Sequence, residues 1–185
     1  MDFILSKEQE MARTLFREVA ENEIKPLAAE IDEEERFPEE ALKLFRKYKF
    51  MGIPYSKEYG GAGCDTLTYE MCVEEISKAC AATGTMLSAH TSLGTWPIVN
   101  YGTAEQKAKY LPKLCSGEYL GAFALTEPGA GTDASGQQTK AVLEGDHYVL
   151  NGSKIFITNA GYADTYVVFA MTDKSKGTRG ISAFI

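Results

Sequence analysis

Up to about residue 118 the apolar positions recur every three to four residues; beyond it they fall in short β-branched and aromatic runs. The helical signal is clearest at the start. Ser6 and Gln9 have the spacing of a capping box, in which each side chain serves the other's backbone N–H. Met11, Leu15 and Val19, flanked by Ala12, Phe16 and Ala20, continue to Ile24, Leu27, Ala28 and Ile31 as a wide apolar stripe that needs a partner surface. Pro26 is expected to kink or restart this helix, because proline lacks the N–H and crowds the preceding turn. A second helix opens at Pro38, carries Leu42 and Phe45 inward and ends before Gly52. Asp65 caps a third, with Tyr69, Cys72, Val73, Ile76 and Cys80 on its buried side. A run from His90 to Asn100 is interrupted by Pro97, and Thr103 with Gln106 forms a second capping box, opening a helix that ends at Gly117. The pattern is that of about five helices with short connections.

The second part reads as strands at Leu120–Leu125, Thr139–Leu143, His147–Leu150, Ser153–Thr158, Tyr166–Thr172 and Gly180–Ile185. The chain turns at Glu144-Gly145-Asp146. Asn151-Gly152 carries the strongest two-residue hairpin signal, since both central positions of that turn take positive φ. The expected fold class is α+β: an all-α helical bundle over residues 1–118, then a truncated antiparallel β domain over 119–185. The final Ile181-Ser182-Ala183-Phe184-Ile185 lies inside an apolar strand, where domains normally finish in polar residues, so the sequence reads as the first part of a longer polypeptide.

Composition narrows the function. Apolar residues make up 44% of the 185, enough for a packed core. The net charge of −7 argues against nucleic acid as the main partner, because phosphate binding needs a surplus of Lys and Arg. No apolar run is long enough to cross a bilayer, and Met1-Asp2-Phe3-Ile4-Leu5-Ser6 has no basic segment with an apolar stretch behind it; a cytoplasmic location is expected. Cys64, Cys72, Cys80 and Cys115 lack paired ligand spacing, and His90 and His147 sit near no such pair, so no metal site is expected. Cys72 and Cys80, eight apart, fall on one helix face as small hydrophobes.

The segment Ala124-Leu125-Thr126-Glu127-Pro128-Gly129-Ala130-Gly131-Thr132-Asp133 leaves a strand, turns through proline and glycine, and offers hydroxyls at Thr126 and Thr132. Such a loop lets backbone N–H groups approach a flat cofactor or a pyrophosphate, and it equally suits a wide turn between strands. It has neither the Gly-Lys-Ser/Thr of a P-loop nor the βαβ setting of a dinucleotide fingerprint. In Asn151-Gly152-Ser153-Lys154-Ile155-Phe156-Ile157-Thr158-Asn159, Phe156 and Thr158 are expected on one face of a strand, where they suit either a ring ligand or plain hairpin packing. Glu127 is read as ordering its turn, Asp133 as bonding its own loop and His90 as a packing histidine. No catalytic residue is assigned.

These residues carry a resemblance. Thr126 to Asp133 resembles the first signature of the acyl-CoA dehydrogenases, and Asn151 to Asn159 resembles their flavin-contacting strand, at matching separation. Glu58-Tyr59-Gly60-Gly61-Ala62-Gly63 and Tyr101-Gly102-Thr103-Ala104-Glu105-Gln106-Lys107 resemble the family's N-terminal domain, so the likeness spans essentially the whole chain. Ala134-Ser135-Gly136-Gln137-Gln138-Thr139 and Ala170-Met171-Thr172-Asp173-Lys174-Ser175-Lys176-Gly177 are most similar to the bacterial short-chain (butyryl-CoA) members.

The resemblance implies an N-terminal helical domain, a middle β domain and a C-terminal helical domain that is not in this sequence. It implies FAD, contacted by Phe123, Leu125, Thr126, Gly131, Thr132, Phe156, Ile157 and Thr158. Thr126 would bond the ring edge, Phe156 would pack on the ring where some members have Trp, and Thr158 would reach its N5 side. Thr132 would also touch the CoA portion of an acyl-CoA substrate, and Ser92 and Leu93 would help close the acyl cavity. The implied chemistry is α,β-dehydrogenation of a short-chain acyl-CoA with electrons passed to an electron-transferring flavoprotein, in a homo-oligomer that is tetrameric in the intact family. The catalytic glutamate belongs to the part not in this sequence, so the chain alone is expected to be inactive. The alternatives are a non-catalytic acyl-CoA- or flavin-binding piece, and half of a flavin oxidase or monooxygenase.

Overall fold

A computed structural model describes residues 4–185. Seven α-helical segments come first: α1 (Lys7–Val19), α2 (Lys25–Glu33), α3 (Glu39–Tyr48), α4 (Thr66–Ala79), α5 (Ala81–Ser88), α6 (Trp96–Tyr101) and α7 (Ala104–Ser116). A π-helical stretch, Ala20–Ile24, joins α1 to α2, and another, Ala89–Thr95, joins α5 to α6. Five rods result. Two prolines sit just after these stretches: Pro26 and Pro97 each occupy the first turn of the helix that follows, whereas Pro112 lies inside α7. A proline removes one ladder hydrogen bond, and a wider π turn carries the rod past that gap instead of breaking it.

The helix ends follow residue type. Both capping boxes form, Ser6 with Gln9 and Thr103 with Gln106, and the Asp65 carboxylate accepts the Thr68 N–H at 2.8 Å. Gly117 closes α7 in the left-handed region at φ 78°. Phe16, Val19, Ile24, Phe45, Phe50, Met51, Ile76 and Leu87 form the main core with Cys72 and Cys80. The Phe16 and Phe50 rings meet edge to face at 5.2 Å. Each such side chain stabilises the fold by roughly 1.5–3 kcal/mol. The stripe on α1 is narrower than its sequence, since Met11 and Leu15 remain 74% and 41% exposed while Phe16 and Val19 face inward.

The strands are β1 (Gly121–Ala124), β2 (Lys140–Glu144), β3 (His147–Asn151), β4 (Thr165–Met171) and β5 (Ile181–Phe184). The α+β architecture holds, but the sheet is mixed and not wholly antiparallel. β4 runs parallel to β1, Gly121 opposite Thr165, and antiparallel to β5, while β2 and β3 form an antiparallel hairpin. The parallel pair arises because the chain leaves the sheet after β1 and re-enters some forty residues later on the same heading.

Two expectations of this region are corrected. The β2–β3 hairpin turns at Gly145-Asp146 as expected, with Gly145 at φ 65°, but no second hairpin forms at Asn151-Gly152, where neither residue has positive φ. Gly152 answers to a close approach instead: a Cβ there would sit 2.6 Å from Thr139 Cα. Ser153–Thr158 forms no strand. Phe156 lies at φ 57° and Asn159 at φ 70°, and left-handed residues break the alternation that would put Phe156 and Thr158 on one face.

Helices and sheet meet where the Ala89–Thr95 stretch crosses β1. A Cβ on Gly94 would come within 2.7 Å of the Gly121 carbonyl carbon, so the two backbones touch. His90, wholly buried, accepts the Gly121 N–H on Nδ1 at 2.9 Å and bonds the Leu114 carbonyl from Nε2 at 3.2 Å. Asn159 Nδ2 donates to the Gly121 carbonyl at 3.0 Å and to that of Met86 at 3.2 Å. Both polar groups of one strand residue are therefore held by side chains. Burial pushes the His90 imidazole down to about 4, against smaller opposing hydrogen bonds to the Leu114 and Met51 backbone. The ring is thus neutral, and the Nδ1 acceptor fixes its proton on Nε2. Among the described residues no helix is long and apolar enough to cross a membrane.

Candidate functional site

β1 delivers the chain into the loop that follows it. Glu127 and Ala130 exchange backbone hydrogen bonds at 3.1 and 3.0 Å, closing a tight turn in which Pro128 presets the first φ. Glu127 is buried and its carboxylate is fully engaged. Oε2 accepts the Gln138 N–H at 2.5 Å, and Oε1 accepts the Thr139 N–H at 3.0 Å and the Lys154 ammonium at 2.9 Å. Burial alone would raise its pKa, but these donors outweigh it and hold the carboxyl at about 2. Glu127 is a structural anion that orders its turn, as its place beside Pro128 suggested. Asp133 accepts the Ser135 N–H at 3.1 Å within its own loop, and His90 is a packing residue.

The second segment lies along the exit of β1. Lys154 Nζ donates to the Leu125 carbonyl at 2.8 Å, the Ile155 N–H to the Thr126 carbonyl at 3.0 Å, and Asn159 to Gly121. Phe156, Ile157 and Thr158 are the residues left between these anchors. Ile157 and Thr158 are half-buried, whereas Phe156 is 88% exposed. A large apolar ring held in solvent by a left-handed backbone returns nothing to folding.

The glycines of the turn make the same point. Gly129 and Gly131 have no positive φ, and a Cβ on either would meet nothing within 4 Å. The chain itself does not require glycine at these positions, and what they leave open is space for a ligand to approach the backbone. An exposed ring, two threonine hydroxyls at Thr126 and Thr158 and this open backbone fit a flat heteroaromatic cofactor with a phosphate tail.

Ser92 and Leu93 stand apart from this loop. Ser92, Leu93 and Phe123 line a cleft of about 910 Å³ with Trp96, Tyr101 and Phe169. Ser92 and Leu93 come from the π stretch, Phe123 from β1, where its ring meets Phe169 at 5.1 Å. Thr132 is exposed at the tip of the loop. A smaller cleft of about 430 Å³ opens nearby, lined by Ser135, Gln138, Lys140, Lys174 and Thr178.

The family pattern described as acyl-CoA dehydrogenase, N-terminal domain, matches residues 6–118, and the pattern for the middle domain of the same enzymes matches residues 122–185. The chain belongs to the acyl-CoA dehydrogenase family. It is 65% identical over 185 residues to a protein of Clostridium acetobutylicum described as a short-chain specific acyl-CoA dehydrogenase, covering 100% of this chain and 49% of that one. The butyryl-CoA dehydrogenase of Megasphaera elsdenii superposes with a TM-score of 0.94 at 47% identity, over 100% of this chain and 49% of its own. An acyl-CoA dehydrogenase of Bacillus anthracis, solved in complex with FAD, superposes with a TM-score of 0.87 at 37% identity, over 97% of this chain and 30% of its own. The chain spans about half the length of the curated relatives it matches.

Lys154 and Asn159 were not foreseen as site residues. Both lie in the Asn151–Asn159 motif, but nothing local to them says that one reaches Glu127 and the other Gly121.

Proposed function

We propose that this chain provides the helical part (residues 1–118) and the flavin-facing β part (119–185) of an FAD-dependent acyl-CoA dehydrogenase acting on short-chain substrates such as butyryl-CoA. The reading rests on Phe156: an exposed ring on a left-handed backbone, pinned beside a turn whose glycines have no internal role. Thr126 and Thr158 give their hydroxyls to the ring edge, Phe156 covers one face, and Leu125 and Ile157 supply apolar walls. Gly131 and Thr132 take the pyrophosphate, and Thr132 also meets the CoA portion. Held by these residues, FAD would supply the acceptor for hydride from the acyl β-carbon and a route for the electrons to an electron-transferring flavoprotein.

The acyl chain enters the cleft at Ser92, Leu93 and Phe123, whose walls are mostly apolar. Lys140 and Lys174 suit the phosphates of CoA at the smaller cleft. Glu127 cannot take the α-proton, because its carboxylate already accepts three hydrogen bonds. No base is assigned to this chain, and full turnover belongs to a longer, homo-oligomeric assembly.

The test is a visible spectrum of the purified chain after incubation with FAD and removal of free cofactor. Retained flavin absorbance that falls in Phe156→Ala and Thr126→Val is the expected result. A colourless wild-type protein would show that these residues do not hold the ring unaided.

A further inference from the structure

The loop from Leu125 to Thr139 is closed at its base by two side chains, Lys154 and Glu127. Lys154 uses all three of its ammonium protons: on the Leu125 carbonyl at 2.8 Å, on Glu127 Oε1 at 2.9 Å and on Gln137 Oε1 at 3.2 Å. Leu125 and Glu127 belong to the outgoing limb of the loop and Gln137 to the returning one. Glu127 completes the tie by accepting the Gln138 and Thr139 N–H groups from that returning limb. The Lys154 and Glu127 side chains are only 10% and 6% exposed. The tip, with Gly129, Gly131 and Thr132, has no comparable anchor and stays open to solvent.

We propose that Lys154 is a positioning residue that holds the two limbs of the 125–139 loop together and so presets its tip before any ligand arrives. The inference rests on the flavin reading for what the tip binds, though not for the closure itself. A loop already in its bound shape loses less freedom on binding, so the affinity gain comes through residues Lys154 never presents to the ligand. A buried ammonium can do this only with every proton bonded, which is the observed arrangement.

The experiment compares unliganded wild-type chain with Lys154→Met, Lys154→Arg and Glu127→Gln by amide NMR, reading Gly129, Gly131, Thr132, Gln138 and Thr139. In Lys154→Met the tip amides are expected to shift and exchange faster. The Gln138 and Thr139 amides should report a Glu127 carboxyl that titrates above the value of about 2 it holds beside lysine. Lys154→Arg should restore both signals in part. FAD affinity, measured in parallel, should fall roughly tenfold in Lys154→Met with the melting transition still cooperative. Tip amides of Lys154→Met that superimpose on wild type would overturn the proposal, and so would unchanged FAD affinity. Should Lys154→Met not fold, Glu127→Gln decides on the same amides, an unmoved tip again overturning it. A wild-type chain that binds no FAD sinks the flavin reading alone, and the unliganded amides still decide the role of Lys154.

Discussion

At the scale of single residues, two buried carboxylates show how one pKa direction serves two different ends. Glu75, 4% exposed, sits between α1 and α4 and accepts Arg13 Nε at 2.8 Å and an Arg17 terminal nitrogen at 3.0 Å. The hydrogen bond from Arg17 leads the effects that hold its carboxyl at about 2, with Arg13 and Lys78 assisting against desolvation. It joins two helices, whereas Glu127 shapes a loop. Glu75→Gln should cost about 2 kcal/mol at neutral pH, below the range for a fully dry pair because Arg17 stays half-exposed. The folded pKa lies below the ordinary value, so this contribution is complete above about pH 4.5 and is lost as pH falls through about 2. Urea unfolding of both forms across that range checks it, and a gap that does not narrow toward low pH would contradict the assignment. Gly131 offers the opposite test. Gly131→Ala should leave stability unchanged or raise it by about 0.4–1 kcal/mol, since no clash and no positive φ oppose the methyl group. The same methyl should weaken FAD binding. A variant that melts earlier instead would mean the loop, not the ligand, needs glycine there.

At the scale of elements, the helices were legible because their signals are local. Ser6, Gln9, Asp65, Thr103, Gln106 and Gly117 act within one turn of themselves, and each does what its chemistry predicts. The prolines were read correctly as interruptions, although the π stretches that absorb them were not. The sheet was harder. Residues Ile155 to Thr158 are β-branched and aromatic as a strand would be, yet the segment's conformation is set by Leu125, Glu127 and Gly121, some thirty to forty residues earlier, through Lys154 and Asn159. The parallel pairing of β1 with β4 is likewise a long-range fact that no local pattern records. The site residues that came from motif resemblance were named without their supports, for the same reason.

The seam between helices and β1 gives this scale its predictions. Gly94→Ala drives a methyl group into the Gly121 backbone and should cost about 1–3 kcal/mol. His90 adds a pH dependence. Its folded pKa of about 4 lies below the usual 6.5, so the unfolded chain binds the extra proton between those values. Stability from this group is complete above about pH 6.5 and falls toward pH 4 by up to ~1.4 kcal/mol per unit. A proton on Nδ1 would face the Gly121 N–H, donor against donor. Guanidinium titrations between pH 7 and pH 4 should show this slope, and His90→Gln should flatten it. An equal slope in both proteins would place the proton uptake elsewhere.

For the whole molecule, charge and apolar surface pull against each other. The register of β2 with β3 sets Leu143 opposite Tyr148 and Ala141 opposite Leu150, so these four share one face of the hairpin. Leu143, Tyr148 and Leu150 are 58%, 46% and 37% exposed, and the Tyr148 ring extends the face to Phe184 at 5.0 Å. A second apolar surface lines the large cleft, where Leu93, Trp96 and Tyr101 are also open to solvent. Contiguous apolar surface of this kind drives association, whereas a net charge of −7 opposes it through mutual repulsion. The chain should therefore self-associate over roughly micromolar to hundred-micromolar concentrations. Added salt should strengthen the association, because screening removes the repulsion and leaves apolar contact intact. Leu143→Lys with Tyr148→Glu places opposite charges across one cross-strand pair, so the hairpin keeps a favourable pairing while its apolar face is lost. Sedimentation velocity of the two proteins in low and high salt separates the contributions. A double variant that associates equally would remove the hairpin face from the account and leave the cleft as the surface that drives association, whereas a wild-type chain that stays monomeric throughout would overturn self-association by either surface.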